Sequence, residues 1–270
     1  FSVPIENEHD PRAAEAFRKL VAPFMLRRMK TDKAIISDLP DCIVQDVMTT
    51  LLPEQAYLYQ ETLTRNLDAI SRAEANSRDK QVKRRALVLK LITELKQICN
   101  SPSQYNKQWS ETPDSAKAET LFELLDECRE NGRKVLVFTQ YREMGELLQG
   151  WIAKKTGRKP EFLHGGVSVA RRAVMVDDFQ NNPDSHILLV SLKAGGTGLN
   201  LTAASVVIHY DLWWNPAVES QASDRAWRIG QQRDVLVYRF VTEGTFEERI
   251  NEMLTEKRRI TDLAVSSGEN

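Results

Sequence analysis

The sequence is poor in cysteine and has no long hydrophobic run. Cys42, Cys99 and Cys128 are far apart and form no C-x-x-C pair, which argues against a disulfide framework or a structural zinc site and favours a reducing compartment. No apolar run approaches the roughly 18 residues that a membrane span needs, and no secretory signal is recognisable at the start. The chain begins at Phe1 rather than Met, which suggests a piece of a longer protein.

An excess of charge of either sign is also absent. The 270 residues include 37 Lys and Arg and 38 Asp and Glu, a formal net charge of -1. Overall charge therefore neither supports nor excludes nucleic-acid binding, and any such contact must use local basic patches. With 41% hydrophobic residues, the chain is predicted to be globular, either as one large domain or as an ordinary domain with a helical attachment.

Several catalytic motifs are missing as well. There is no G-x-x-x-x-G-K-[ST] loop, so the chain cannot by itself hold nucleotide phosphates as P-loop proteins do. It has neither a G-x-S-x-G elbow nor a credible Cys and His pair for nucleophilic catalysis. The four histidines have no metal-ligand spacing, and we expect no metal site made by this chain alone.

The pattern of apolar residues divides the chain into two parts. Residues 1–112 are predicted to form a helical region with polar connectors, and residues 113–270 an α/β domain. The helices predicted in the first part are Pro11–Met29, Pro53–Ile70 and Leu87–Ile98. The aperiodic segment Ser101–Pro113 is the predicted boundary loop.

From Ser115 onwards, helical periods alternate with short β-rich runs. The predicted strands are Lys134–Phe138, Glu161–Leu163, His186–Val190, Ser205–His209 and Val235–Val241. The predicted helices are Ala116–Glu130, Arg142–Lys155, Val169–Gln180, Ala217–Arg228 and Phe246–Leu263. Such alternation predicts a mainly parallel sheet with helices on both faces, in which ligands bind beyond the carboxyl ends of the strands.

Polar and glycine-rich segments follow three of these strands. Thr139 and Gln140 follow the first, where a hydroxyl can cap the next helix or meet a phosphate oxygen. His164-Gly165-Gly166 follows the second beside many basic residues, which form either a solvated surface or one that follows phosphates. Ser191–Asn200 follows the third, and its glycines form either a tight turn or an anion-binding nest aided by Lys193.

Two further features follow the fourth strand. Trp213 and Trp214 are adjacent, so one is expected near the surface or at an interdomain contact, although burial in a core is the commoner fate of Trp. Arg225 and Arg228 lie three residues apart in a predicted helix whose apolar stripe is Val218, Ala222, Ala226 and Ile229. The two arginines either form surface ion pairs or hold an anion together.

In their order and spacing these segments resemble the second RecA-like lobe of Swi/Snf-type ATPases. Those are helicase superfamily two motors that translocate on double-stranded DNA and remodel chromatin or strip proteins from it. The most specific segment is Gln221-x-x-Asp224-Arg225-x-x-Arg228-Ile229-Gly230-Gln231. Pro23–Arg28 with Leu39-Pro40 is similar to the region that joins the two lobes. The resemblance implies a RecA-like α/β sheet preceded by an α-helical subdomain.

For the nucleotide, the resemblance implies a site shared between two lobes. Arg225 and Arg228 would be arginine fingers, and Gln221 and Asp224 would orient or partner them. Gly198 and Asn200 would belong to the nucleotide site, with Asn200 near the ribose. ATP and Mg²⁺ would be bound mainly by the first lobe, whose P-loop and acidic box this sequence lacks. The chain alone is therefore expected to be inactive in ATP hydrolysis.

For DNA, the resemblance implies contacts with the sugar-phosphate backbone, which are sensitive to salt and indifferent to sequence. The residues so assigned are Thr139, Gln140, His164, Gly165, Gly166, Ser191, Lys193, Gly195, Gly196, Trp213 and Trp214. The implied partners are double-stranded DNA, the N-terminal RecA-like lobe, and nucleosomes or other DNA-bound proteins, but no membrane. The implied location is the cytoplasm or nucleoid of a prokaryote, or the nucleus of a eukaryote.

Two other functions stay open. The chain could be a non-catalytic nucleic-acid or protein-binding scaffold with the same fold, although a scaffold has no need of the two arginines. It could also be a lobe of a strand-separating helicase, which duplex unwinding measured against triplex displacement would distinguish from a translocase.

Overall fold

The described residues form six strands and eight helices. A computed structural model describes residues 39–72, 78–192 and 198–266, together with Arg12 and Leu20. The strands are β1 (Cys42–Thr49), β2 (Lys134–Thr139), β3 (Glu161–Leu163), β4 (Ile187–Ser191), β5 (Ala204–His209) and β6 (Val235–Thr242). The helices are α1 (Pro53–Arg72), α2 (Arg78–Asn100), α3 (Pro102–Asn106), α4 (Ala116–Glu130), α5 (Arg142–Thr156), α6 (Val169–Asn181), α7 (Pro216–Ser223) and α8 (Phe246–Ser266). The predicted helix Pro11–Met29, apart from Arg12 and Leu20, and the segment Pro23–Arg28 lie outside the described residues.

The six strands form one parallel sheet with the order β1-β6-β5-β2-β4-β3. The central strands β2 and β5 are buried along almost their whole length, which explains their near-continuous runs of branched and aromatic residues. The predicted parallel α/β sheet is confirmed. The five predicted strands agree with the structure to within one residue at each end.

Strand β1 is missed by the sequence analysis. The first 112 residues are predicted to hold helices and connectors only, whereas Cys42–Thr49 pairs with β6 over its full length. β1 lies at the sheet edge and leaves Ile43, Val44 and Met48 exposed. Its apolar residues therefore lack the clean alternation that identifies a half-buried strand. The division of the chain at residue 112 stays a prediction.

Helices cover both faces of the sheet. Because successive side chains of a strand point to opposite faces, Val137 of β2 packs against α4 and α5, and Phe138 against α6 and α7. A third cluster joins α1 to α2 around Leu95 and Ile98. Among the described helices, none combines the length and the hydrophobicity that crossing a bilayer requires.

A buried ion pair ties the first helix of the α/β part to the last. Lys117 of α4 is 1% exposed and Glu247 of α8 is 0% exposed, and Nζ lies 2.6 Å from Oε2. The same ammonium donates to Oε1 at 2.8 Å, and the Thr242 N–H donates to Oε2 at 3.1 Å. Each charge is thus paired and hydrogen-bonded, which is the condition under which burying it is tolerated.

We predict that Lys117→Met destabilises the chain by about 3–5 kcal/mol, because it leaves the Glu247 carboxylate buried without its counter-charge. The free energy of unfolding in urea measures this. The matched control is Lys154→Met, since the Lys154–Glu111 pair is 58% and 82% exposed and should contribute less than about 1 kcal/mol. Equal, small losses in both variants would contradict the prediction.

Candidate nucleotide and nucleic-acid site

The loops after four strands meet at the carboxyl edge of the sheet. Since β3, β4, β2 and β5 are neighbours and run in parallel, the segments that begin at His164, Leu192, Gln140 and Tyr210 leave the sheet on the same side. This is the edge at which parallel α/β folds bind ligands. The sequence analysis assigns residues of all four loops to binding, and the described parts of these loops begin at one edge of the sheet.

Asp211, just after β5, is the buried hub of this edge. The side chain is 0% exposed. Oδ2 accepts from Thr139 Oγ1 at 2.5 Å and from Asn100 Nδ2 at 3.3 Å, and Oδ1 accepts from the Gln140 N–H at 3.0 Å. Burial raises the pKa of this carboxyl, and the charge of Lys96 and the Thr139 hydroxyl oppose that rise.

Lys96 of α2 brings a buried ammonium to the same place. It is 2% exposed, and its Nζ donates to the Leu212 carbonyl at 2.5 Å and lies 5.8 Å from the centre of the Trp214 ring. Burial lowers the pKa of this amine, and the Asp211 carboxylate partly offsets the effect. The sequence analysis missed both residues. An Asp two residues after a strand rich in branched apolar residues was a signal for Asp211, whereas no sequence pattern indicated Lys96.

Thr139 and Gln140 hold this edge together, and their assignment to DNA stays a prediction. The Thr139 side chain is 0% exposed, and its hydroxyl donates to Asp211 and accepts from the Tyr141 N–H at 3.3 Å. The Gln140 amide donates to the Leu212 carbonyl at 2.8 Å. In this conformation the Thr139 hydroxyl does not face solvent, so it is not available to a phosphate.

The loop after β3 exposes its backbone, as the predicted close approach of a ligand requires. Gly165 and Gly166 are exposed, and the Gly166 N–H donates to His164 Nδ1 at 3.1 Å. Arg172 donates to the carbonyls of His164 and Gly165 at 3.3 Å each, which fixes the loop. Burial, followed by the charge of Arg142, lowers the pKa of the His164 imidazole, so its neutral form is favoured.

The two tryptophans have separate surroundings, as the sequence analysis expects. Trp213 is half-buried against the core on the α6 and α7 face. Its backbone N–H donates to Glu219 Oε1 at 2.8 Å. Trp214 is 43% exposed, with its ring 5.6 Å from that of Phe246. Glu219 in turn accepts from Arg239 Nε at 3.1 Å, so a buried ion pair supports the tryptophan loop.

Arg225 and Arg228 do not lie on a helix, which corrects the predicted Ala217–Arg228. Helix α7 is Pro216–Ser223, and the residues that follow form turns. The Leu201 N–H donates to the Arg225 carbonyl at 2.9 Å, so this carbonyl bonds to a loop rather than to a later residue of a helix. Consequently Ile229 is 81% exposed instead of completing an apolar stripe, while Ala222 and Ala226 are buried.

The two arginines nevertheless share one local field. Arg225 is 5% exposed, and among the described residues its Nε has no hydrogen-bond acceptor. Burial lowers the pKa of its guanidinium, the charge of Arg228 lowers it further, and Asp224 opposes both. Arg228 is exposed and donates to the Gly198 carbonyl at 3.4 Å. The arrangement is therefore an electropositive spot that an anion would stabilise.

The other predicted site residues are placed around this spot or lie outside the description. Gly198 and Asn200 are exposed where the chain resumes after the glycine loop, and Gln221 is exposed on α7. Ser191 is 5% exposed at the end of β4. Its side chain is therefore not accessible in this conformation, whereas the resemblance implies a DNA contact. Lys193, Gly195 and Gly196 lie outside the described residues. Within the described ranges, no three His, Cys, Asp or Glu side chains are grouped to hold a metal ion.

Two family models match the chain. The SNF2-related domain matches residues 1–104, and the helicase conserved C-terminal domain matches residues 116–230. An ATP-dependent helicase/translocase by name, YwqA of Bacillus subtilis (strain 168), is 40% identical over 99% of this chain and 28% of that protein. The chain spans about a quarter of the length of the curated relatives it matches.

Two solved structures from Sulfolobus solfataricus are similar in fold and sequence. One is a SWI2/SNF2 ATPase core in complex with dsDNA, with a TM-score of 0.72 and 36% identity over 99% of this chain and 55% of that chain. The other is a SWI2/SNF2 ATPase C-terminal domain, with a TM-score of 0.69 and 31% identity over 85% of this chain and 95% of that one. Since nearly all of that domain is covered, this chain belongs to the SNF2-related family and has the RecA-like fold of SWI2/SNF2 ATPase cores.

Proposed function

We propose that the chain is the second motor lobe of an ATP-dependent double-stranded DNA translocase. In this function Arg225 and Arg228 act on ATP held mainly by a preceding lobe, and the loops at the carboxyl edge grip the DNA backbone. The observation that carries the proposal is the arginine pair, in which a buried guanidinium with an unpaired Nε lies within the field of a second, exposed one.

The chemistry of phosphoryl transfer suits such a pair. Charge spreads over the equatorial oxygens of the transferred phosphoryl group in a loose transition state, and a guanidinium placed there stabilises it without moving protons. Arg225 is fixed by burial, whereas Arg228 lies exposed beside Gly198. Asp224, which opposes the fall in the Arg225 pKa, would with Gln221 orient or partner the pair, and Asn200 would lie near the nucleotide ribose.

The proposed DNA contacts use backbone groups and exposed side chains of the loops. Gly165 and Gly166 are exposed beside Arg172, and Trp214 is partly exposed beside the Lys96 ammonium. N–H groups and cations of this kind bind phosphate oxygens without reading bases. The similarity to a solved ATPase core bound to dsDNA supports double-stranded DNA as the partner. Thr139 and Ser191, which are buried, would act by holding the loops.

Arg228→Ala tests the nucleotide role best, because removing an exposed side chain leaves no buried group unpaired. In the full-length protein we predict that DNA-stimulated kcat for ATP hydrolysis falls by about a thousandfold, while DNA affinity changes little. Arg228→Lys should restore only part of the rate, since an ammonium keeps the charge but not the fork. The control is Arg249→Ala, an exposed arginine of α8 paired with Glu252. Turnover that survives Arg228→Ala would exclude the finger role.

The chain without a preceding lobe should not hydrolyse ATP. Its sequence has no P-loop, and the described residues offer no metal cluster, so the phosphates and Mg²⁺ would lack their main ligands. The measurement is phosphate release by the purified 270-residue chain with and without duplex DNA. DNA-stimulated release from this chain would overturn the shared-site model, and recovery on mixing with the preceding lobe would support it.

Lys193 is proposed to contact a DNA phosphate on the strength of the sequence resemblance. Lys193→Ala should weaken duplex binding for all sequences alike and lower the slope of log affinity against log salt by about one. Fluorescence anisotropy at several salt concentrations measures the slope. Lys154→Ala, on the end of α5 at the other edge of the sheet, serves as control. An unchanged slope for Lys193→Ala would remove this lysine from the DNA surface.

A further inference from the structure

A cavity lies at the amino ends of the strands, at the opposite edge of the sheet from the arginines. It has a volume of about 390 Å³ and is lined by the starts of β2, β3 and β4 and by parts of α4 and α5. A strand of six residues spans about 20 Å, so the cavity is separate from the site described above. Its size falls within the range of about 300–1,000 Å³ that is usual for small-molecule sites.

One side of the cavity is apolar and firmly packed. Phe122, Leu125 and Ile152 line it, and each belongs to the buried cluster between α4, α5 and the sheet. The Lys155 ammonium lies 4.9 Å from the centre of the Phe122 ring. A flat apolar ring that displaces this ammonium could lie against Phe122 without rearrangement of the core.

The cavity is lined by five cationic side chains and four carboxylates, Asp126, Glu161, Asp178 and Asp184; Glu161 also pairs with Arg171 outside the lining, so positive charge is in excess. Lys155 pairs with Asp126 at 2.5 Å, and Arg158 with Asp178 at 3.9 Å. Arg129 and Lys159 also line the cavity, and within the described part of the chain neither side chain has an ionic or hydrogen-bond partner. The position of Arg129 in the last turn of α4 complements the helix dipole. Lys159 lies beyond the end of α5, so the dipole does not account for it.

Two buried nitrogen atoms of the lining residues point to a ligand. Arg133 Nη1 and His186 Nδ1 are buried, and among the described residues neither has a hydrogen-bond partner. Native proteins rarely leave such groups unpaired, because each has lost its bonds to water without replacement. Because both atoms are enclosed by protein, an anion at this end of the cavity would accept from Arg133 or, with the imidazole protonated at Nδ1, from His186 once the side chain turns towards it.

We propose that this cavity binds a small aromatic anion. Its ring lies on Phe122 and Ile152, and its carboxylate or phosphate accepts hydrogen bonds from Arg133, with Arg129 and Lys159 adding positive charge at the rim. The site is distinct from the proposed nucleotide and DNA sites and does not depend on them. The amino edge of the sheet would then have a small-molecule site of its own.

The probe that tests this site is 1-naphthoate, titrated into the isotope-labelled 270-residue chain and followed by amide NMR. We expect saturable shifts confined to the segments around Arg133, Lys159 and His186. Arg133→Gln should weaken binding about tenfold, the effect of losing a charged hydrogen bond. Lys159→Glu, at an exposed position that folding does not need, should weaken it about threefold through charge alone. Arg249→Gln, on exposed α8, should leave it unchanged.

A neutral analogue distinguishes recognition of the anionic group from recognition of the aromatic ring. 1-Naphthalenemethanol should bind at least about tenfold more weakly than 1-naphthoate if the oxyanion is recognised. Equal binding of the two compounds, or the same affinity in Lys159→Glu, would show an apolar cavity without anion specificity and overturn the proposal. Shifts scattered over the chain, or none at millimolar probe, would overturn it as well. Inorganic phosphate alone should bind more weakly, because it leaves the apolar side unfilled.

Discussion

The carboxyl edge of the sheet depends on one buried charge, the Asp211 carboxylate. It receives hydrogen bonds from Thr139 at the end of β2, from Gln140 in the loop that follows, and from Asn100 at the end of α2. Burial raises the pKa of this carboxyl and lowers that of the Lys96 amine, and each charge opposes the shift of the other. In a low-dielectric interior, a charge that loses its partners costs several kcal/mol. The loops that carry the proposed DNA contacts are therefore held in one arrangement by electrostatics rather than by loop sequence alone.

The two arginines differ in exposure: Arg225 is buried and held in place, whereas Arg228 is exposed and can reach a ligand. Arg225 loses solvation by burial and feels the repulsion of Arg228, so the pair stores an unfavourable interaction that a bound anion would relieve. Arg228 is exposed, and its guanidinium donates to the Gly198 carbonyl. A pair with one fixed and one free guanidinium matches a site completed by another lobe. Two fixed arginines would demand that the phosphate arrive in one orientation, whereas two free ones would lose more side-chain entropy on binding.

The sequence predicted the elements better than the contacts between them. The parallel strands were predictable because both faces of each are buried, which leaves unbroken apolar runs. Edge strand β1 was not, since half its surroundings are solvent and its pattern is irregular. The end of α7 at Ser223 was misplaced because the turns after it keep helix-like spacing of Ala222 and Ala226 in the core. Asp211 and Lys96 are 115 residues apart in the sequence, so no local pattern predicts that they lie near each other in the fold.

Extensive contacts join the helical region to the sheet, although the division of the chain at residue 112 stays a prediction. Domain boundaries normally fall where few contacts cross. Here β1 pairs with β6 along its whole length, and Lys96 and Asn100 reach the loop after β5. The Tyr59 hydroxyl also accepts from the Phe246 N–H at 2.9 Å, which fixes α1 to the start of α8. A force on either part is therefore expected to move both together.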